Sequence, residues 1–461
     1  MPEQPIRPSR DRSGKFLFLP VLTGLLLAAG CGTAAQDPYA GLPAGYTAPS
    51  AKVTELVRAM SVDSMAVILQ RMEAFETRNT MSDTLSEVRG IGAARRWIHQ
   101  KFQSYSPRLQ VYFQSEAIPP DSRGRVTGGT VLTNVVAVLP GSHPVLKDKH
   151  IVMSGHYDSI NLDPPLEGDP YDRRDPNRPA PGINDDISGV ATAMEMARVF
   201  SRHEFDKTLV FVAFVAEEQG LLGAGVFARR AKAAGMDIEA VLNMDMIGNS
   251  VRGGGAPSQP RTVRVFSEDP MDSPSRQIAR FMEAIGERYV PDMDVGLMFR
   301  NDRFGRGGDH TAFNREGFPG VRLVEANEDY DKQHSYNDTF ANMDLEYFIR
   351  NARIEAATAA TLADAPAAPA PMRLGRGEGY DAQLQFQPAA GEVSGYVVAV
   401  RATTAPRWER FIWVAEPETV TRGERSWLQV TLPHVDIDEV VLGVGALGAD
   451  GHPSLIAAYL R

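Results

Sequence analysis

The chain has 461 residues, 43% of them apolar and 23% charged, a globular composition that excludes collagen-like repeats, low-complexity disorder and a polytopic membrane protein. Its length exceeds what one hydrophobic core usually serves, so a large domain with a smaller companion is expected. A formal net charge of -10 repels phosphate backbones and anionic headgroups, which argues against nucleic acid as a partner.

Residues 1–15 carry Arg7, Arg10, Arg12 and Lys15, and Phe16 to Gly30 is almost purely apolar. That run is shorter than the ~20 residues of a spanning helix, so residues 1–31 read as a signal peptide. Leu27-Ala28-Ala29-Gly30-Cys31 resembles a bacterial lipobox, in which Cys31 is lipidated and becomes the mature first residue. The expected product is an exported lipoprotein facing the periplasm or the exterior, touching membrane only through that anchor. Ala28 departs from such boxes, which usually hold a large aliphatic residue three places before the cysteine. Ordinary secretion with cleavage near Ala35 is the alternative. Cys31 is the only cysteine, so an intrachain disulfide and a thiolate-cluster metal site are both excluded. Any metal must therefore draw on His, Asp and Glu. Residues 32–50 are small, Pro-containing and polar, and read as a tether.

From 51 to 362 helical and strand patterns alternate. Val53 to Phe75 and Ile91 to Phe102 are amphipathic, and Asn134 to Leu139 and His150 to Met153 read as buried strands. A helix from about Ser188 to Arg202, a nearly continuous apolar strand Thr208 to Ala216, a strand Ala240 to Met244 and a long helix Met343 to Thr361 follow. This alternation predicts an α/β fold, a mixed and centrally parallel sheet flanked by helices. Residues 363–372 form an Ala/Pro linker, and beyond it helical periodicity gives way to short strands between Gly, Pro and Asp turns. Residues 373–461 therefore read as a small β-sandwich resembling a fibronectin type III domain.

Five segments carry chemistry. His156 and Asp158 leave the carboxyl end of a buried strand two residues apart, where an imidazole could ligate a metal while the acid orients it; a surface loop gives the same pattern by chance. Gly182-Ile-Asn-Asp185-Asp186-Ile-Ser-Gly189 places two acids before a helix, where capping is the plain reading. Glu217 and Glu218 are adjacent acids at the end of an apolar strand, and they need a cation or a shared proton. Asp245 is an acid within an apolar stretch, either a hydrogen-bonded core residue or a ligand. His334 lies in a polar loop, Asp331 to Thr339, before the last helix. Several of these sit just past predicted central strands, the edge where open α/β sheets build their sites. The nitrogen and oxygen donors suit zinc, with cobalt or manganese as competitors, and five ligands fit two ions better than one.

The order His-x-Asp, Gly-x-Asn-Asp-x-x-Ser-Gly, Glu-Glu, Asn-x-Asp-Met-Ile-Gly and His-Ser-x-x-Asp-Thr is similar to the co-catalytic di-zinc aminopeptidases, a family that also includes glutamate carboxypeptidase, glutaminyl cyclases and the transferrin receptor. The resemblance spans about Leu56 to Leu362. It implies one zinc on His156, Asp185 and Asp245, the other on Asp185, Glu218 and His334, with Asp185 bridging, Glu217 as general base and Asp158 behind His156. Gly308 to Phe313 looks like the family's Asp-His segment, which makes His310 a site-lining residue and not a ligand. The implied activity is removal of N-terminal residues from peptide substrates. A glutaminyl cyclase, or a binding protein on the same fold, is the alternative. No protease-associated insert is expected, and the Pro- and Asp-rich segment 161–181 is expected to shape the cleft entrance.

Overall fold

The computed structural model describes residues 37–121, 125–168, 170–255, 259–268, 270, 272–302, 306–375 and 381–459. The expected signal peptide, Cys31 and the first residues of the expected tether lie outside them. Among the described residues no helix is long and apolar enough to cross a membrane.

Eight strands form one sheet: β1 (Gln110–Ile118), β2 (Thr130–Leu139), β3 (Lys149–His156), β4 (Thr208–Phe214), β5 (Asp237–Met244), β6 (Thr262–Ser267), β7 (Asp294–Met298) and β8 (Gly320–Glu325). Their order is β1-β2-β4-β3-β5-β8-β6-β7. The central four, β4, β3, β5 and β8, run parallel, whereas β1, β2 and β6 join antiparallel. β4 is buried at every position, because helices cover both faces of the sheet. Its side chains divide with the period of two that a strand imposes: Leu209, Phe211 and Ala213 enter one core, and Val210, Val212 and Phe214 the other.

The helices are α1 (Ala44–Thr47), α2 (Ala51–Ala59), α3 (Val62–Glu73), α4 (Gly90–Tyr105), α5 (Ser188–Phe200), α6 (Leu222–Ala233), α7 (Pro274–Tyr289), α8 (Asp309–Glu316) and α9 (Leu345–Asp364). α2 to α5, α7 and α9 supply the first core, and α6 and α8 pack on the opposite face. The amphipathic stretch Val53 to Phe75 forms two helices, divided at Met60 and Ser61, where extended Ser61 accepts a hydrogen bond from the Ser64 N–H. A serine in that role starts a new helix.

Two expectations of loose connection give way to packing. Within the expected tether Tyr46 is buried, and Tyr39 stacks on Phe411 at 5.0 Å; two aromatic rings outweigh the polar composition around them. In the Ala/Pro linker Ala363, Ala365 and Ala367 are buried, since small side chains let the backbone lie close against its neighbours.

The C-terminal strands are β9 (Met372–Gly375), β10 (Ala382–Phe386), β11 (Val393–Ala402), β12 (Arg410–Val414), β13 (Glu418–Arg422), β14 (Arg425–Leu432), β15 (Val440–Gly448) and β16 (Ala457–Ala458). They pair as β13-β14-β10-β9 and β12-β11-β15-β16, around Leu384, Phe386, Val398 and Val444. Leu455 reaches into the core of the larger domain. Arg401 of β11 meets both carboxylate oxygens of Asp272, which precedes α7, and Arg280 of α7 joins the same carboxylate at 3.2 Å. Both arginines face the Trp408 ring. Removing one partner from a buried ion pair strands the other. Arg401→Met is expected to cost about 3 kcal/mol in denaturant unfolding, and an unchanged midpoint would show that the clamp contributes nothing.

Glu355 of α9 is fully buried with neither carboxylate oxygen hydrogen-bonded, and burial pushes its pKa up to about 8. Between the ordinary carboxyl value and that one the folded chain keeps a proton that the unfolded chain has lost. Its contribution to stability is therefore full at low pH and lost as pH rises toward about 8. Glu355→Gln, neutral throughout, is expected to gain about 4 kcal/mol near pH ~8.5 and under about 1 kcal/mol near pH ~5. Urea melts at both values check the difference.

Candidate metal centre

The parallel run of β4, β3, β5 and β8 brings four strand ends to one edge of the sheet. His156 is the last residue of β3, Glu217 and Glu218 follow β4, Asp245 follows β5 and His334 lies in the loop after β8. Asp185 comes from the turn Ile183–Ile187 that feeds α5. The backbone is held in left-handed conformations at Ala216, Leu221, Met246 and His334, a conformation uncommon for residues with a side chain and one that collects at working sites.

His156, Asp185 and Glu218 each present a ligand atom, and these atoms lie within 4.8 Å of one another. The two oxygens of Asp185 face different imidazoles: Oδ1 stands 3.1 Å from His156 Nε2 and Oδ2 stands 3.0 Å from His334 Nε2. His334 Nε2 is also 3.1 Å from Glu218 Oε1. Asp245 lines the same cavity, of ≈ 410 Å³, together with Asp185, Glu217, Glu218 and His334. Asp158 lies beneath. His156 Nδ1 is 3.2 Å from its backbone oxygen and 3.5 Å from Oδ1. Its carboxylate accepts the N–H groups of Glu217 and Glu218 at 3.1 and 3.3 Å. One side chain thus orients the imidazole and the glutamate pair together.

The electrostatics describe a crowd of anions short of positive charge. Burial opposes a charge on His334, yet Glu218 and Asp185 outweigh it and push its pKa up to about 11. Burial drives Glu217 well above the carboxyl range, with Glu218 and Asp245 adding to it against His156. Asp245 Oδ1 is buried without a hydrogen-bond partner. A buried unpaired carboxylate oxygen beside two imidazoles and further carboxylates is a donor set that suits zinc, so the residues fit the metal.

Several further residues take part beside the five expected ligands. Asp186 is buried, and its carboxylate accepts the N–H groups of His156, Gly189 and Met246, tying β3, α5 and the loop after β5 into one unit. A Cβ on Gly155 or Gly189 would stand 2.7 or 2.6 Å from Asp186 Oδ2, which explains both glycines. Asp338 accepts the N–H of Asn184 and of Asp185 at 2.7 and 3.0 Å, so the last motif positions the bridging candidate as well as supplying His334. Arg322 reaches Asp245 Oδ2 at 3.2 Å and Asp302 Oδ2 at 2.9 Å. Asp309 is buried with both oxygens unpartnered, and burial pushes it up to about 8. His310, expected to line the site, instead points its Nε2 toward Glu268 Oε1 at 3.4 Å and is absent from the cavity wall, which Gly307 forms there. The helical start at Asp309 turns adjacent side chains in different directions.

A model of peptidase family M28 matches residues 134–359. A probable zinc metalloprotease of Pyrenophora tritici-repentis is 33% identical over 441 residues, covering 88% of this chain and 96% of that protein. The chain belongs to peptidase family M28. A probable zinc metalloprotease of Pyricularia oryzae is likewise 33% identical, over 89% of this chain and 87% of its own. Among solved structures, the Legionella pneumophila LapA aminopeptidase superposes with a TM-score of 0.51 at 21% identity, over 68% of this chain and 75% of its own. A glutaminyl cyclase of Macrostomum lignano gives a TM-score of 0.51 at 15% identity, over 70% and 98%. Both share the M28 fold seen here, the mixed sheet with flanking helices. The C-terminal sheets are an addition to it.

Proposed function

We propose that this M28 protein is a zinc-dependent exopeptidase that releases N-terminal residues from peptides and holds two zinc ions. That it is a zinc metallopeptidase follows from its family; the ion count and the exopeptidase direction are the finer steps. One observation carries the two-ion reading: the oxygens of Asp185 are directed to separate imidazoles, 3.1 and 3.0 Å away, as a carboxylate shared by two cations requires. His156, Asp185 and Asp245 would hold one ion, and Asp185, Glu218 and His334 the other. Bound there, zinc supplies Lewis acidity, which lowers the pKa of water and polarises a carbonyl.

The rest falls to the chain. Glu217 accepts the proton of the attacking water and returns it to the leaving amine. Asp158 fixes Glu217 and Glu218 through their N–H groups and steadies His156 from behind. The acidic side of the cavity attracts a free α-amino group. Unmodified and N-acetylated versions of one peptide test the direction. Release of the first residue from the unmodified form alone is expected, and internal fragments without free N-terminal residues would reject it. We also propose export with lipidation at Cys31, supported by the leader's sequence; mass spectrometry of the N-terminal peptide decides between a lipidated Cys31 and cleavage near Ala35.

A further inference from the structure

The cavity that holds the acidic donors has a second wall of opposite sign, formed by Arg125, Arg306, Arg315 and Arg322. In a chain of net charge -10 such a concentration of guanidinium groups at one cleft calls for a counterpart. Two of the four are engaged within the protein. Arg322 is buried between Asp245 and Asp302, and Arg306 lies 3.5 Å from Glu328 Oε2 and 3.9 Å from Asp302 Oδ2. The other two differ. Arg125 and Arg315 have no ion-pair partner among the described residues. Arg125 reaches over Gly220, where an added Cβ would stand 3.3 Å from its Nη1, close behind Glu217 and Glu218 in the chain. Arg315 extends from α8 into the same cavity.

Divalent cations on the donor set would offset much of the anionic side, so Arg125 and Arg315 stand as guanidinium groups that face a substrate with no counter-charge of their own among the described residues. A guanidinium presents a planar fork of donors matched to a carboxylate. The volume, ≈ 410 Å³, is that of a site for a small molecule or a short peptide. We propose that this basic wall recognises a carboxylate, so that the preferred substrates are short peptides bearing a free carboxylate close to the cleaved bond. This rests on the peptidase reading above and adds the substrate class to it. The carboxylate can be the chain terminus of a dipeptide or the side chain of Asp or Glu, and the same guanidinium groups would read either.

Four probes separate the sources: alanylalanine against its C-terminal amide, and alanylglutamate amide against alanylglutamine amide. For the zinc-loaded protein, kcat/KM is expected to favour the charged member of at least one pair by about tenfold or more, chiefly through KM. The first pair reports a terminal carboxylate and the second a side chain. In an Arg125→Gln/Arg315→Gln variant that ratio should fall toward one, whereas Arg58→Gln, on α2, should preserve it. Equal rates within both pairs, or a ratio that survives loss of both arginines, would overturn the proposal. Should none of the four be hydrolysed, the peptidase reading has failed separately. Calorimetric titration of the same four compounds then decides the carboxylate question by affinity alone, with equal affinities counting against it.

Discussion

Glu217→Gln is expected to lower kcat by about 10³-fold while leaving the zinc content at about two per chain. The expectation follows from where Glu217 sits. Its N–H is anchored on Asp158 Oδ1 at 3.1 Å, a contact made by the backbone and so indifferent to the side chain. Its carboxylate lines the cavity, and in the proposed arrangement it holds neither ion. Glutamine keeps the shape and one oxygen yet cannot take a proton from water, so the loss should fall on kcat with KM little changed. Glu218→Gln reads differently: it removes a charged donor beside His334, and zinc content should fall along with activity. Metal analysis beside steady-state kinetics separates the two glutamates. A Glu217→Gln protein that loses zinc, or that hydrolyses normally, would reverse the roles assigned to the pair.

The parts of the site visible in the sequence are those that strand ends announce. His156, Glu217 and Asp245 each interrupt or terminate an apolar run, and a charge there is legible because burial makes it costly. β8 escaped the same reading. Its sequence carries Arg322 and Glu325, both buried, and they belong in a central strand only because Asp245 and Asp302 pair the first while Asn184 and Asn249 donate to the second. Those partners lie far away in the chain, so local pattern offers no hint of them. β1 failed for the opposite reason: it is an edge strand whose burial alternates poorly, leaving no apolar face to detect. α7 was legible in principle. Ser273 caps it and Pro274 opens it, the usual start signal of a helix, and Ile278, Met282 and Ile285 mark its buried side at helical spacing. The clamp of Asp272 on Arg401 spans 129 positions, and no motif marks it. The packing of the sandwich onto the larger domain is accordingly a fact of tertiary structure alone.

Chelation is expected to abolish hydrolysis, to lower Tm by about 10 °C, and to be reversed by added zinc. The stabilising share follows from mass action: a cation that binds only the folded site adds about 4 kcal/mol when free metal exceeds its dissociation constant a thousandfold. It follows too from the charges that remain when the metal leaves. Asp185, Glu217, Glu218 and Asp245 then share one cavity with Asp245 Oδ1 unpartnered, and the nearest positive groups are two imidazoles and Arg322. Asp186 and Asp338 are anchored by backbone N–H groups, although burial and the neighbouring carboxylates push both upward. Their scaffold should hold the strand ends in place, so far-ultraviolet circular dichroism is expected to persist below the lowered Tm. Scanning calorimetry with and without chelator reads the shift, and a zinc titration of the stripped protein reads the return of activity. If the stripped protein keeps both its Tm and its rate, the carboxylates are neutralised by protons alone and the metal centre does not exist.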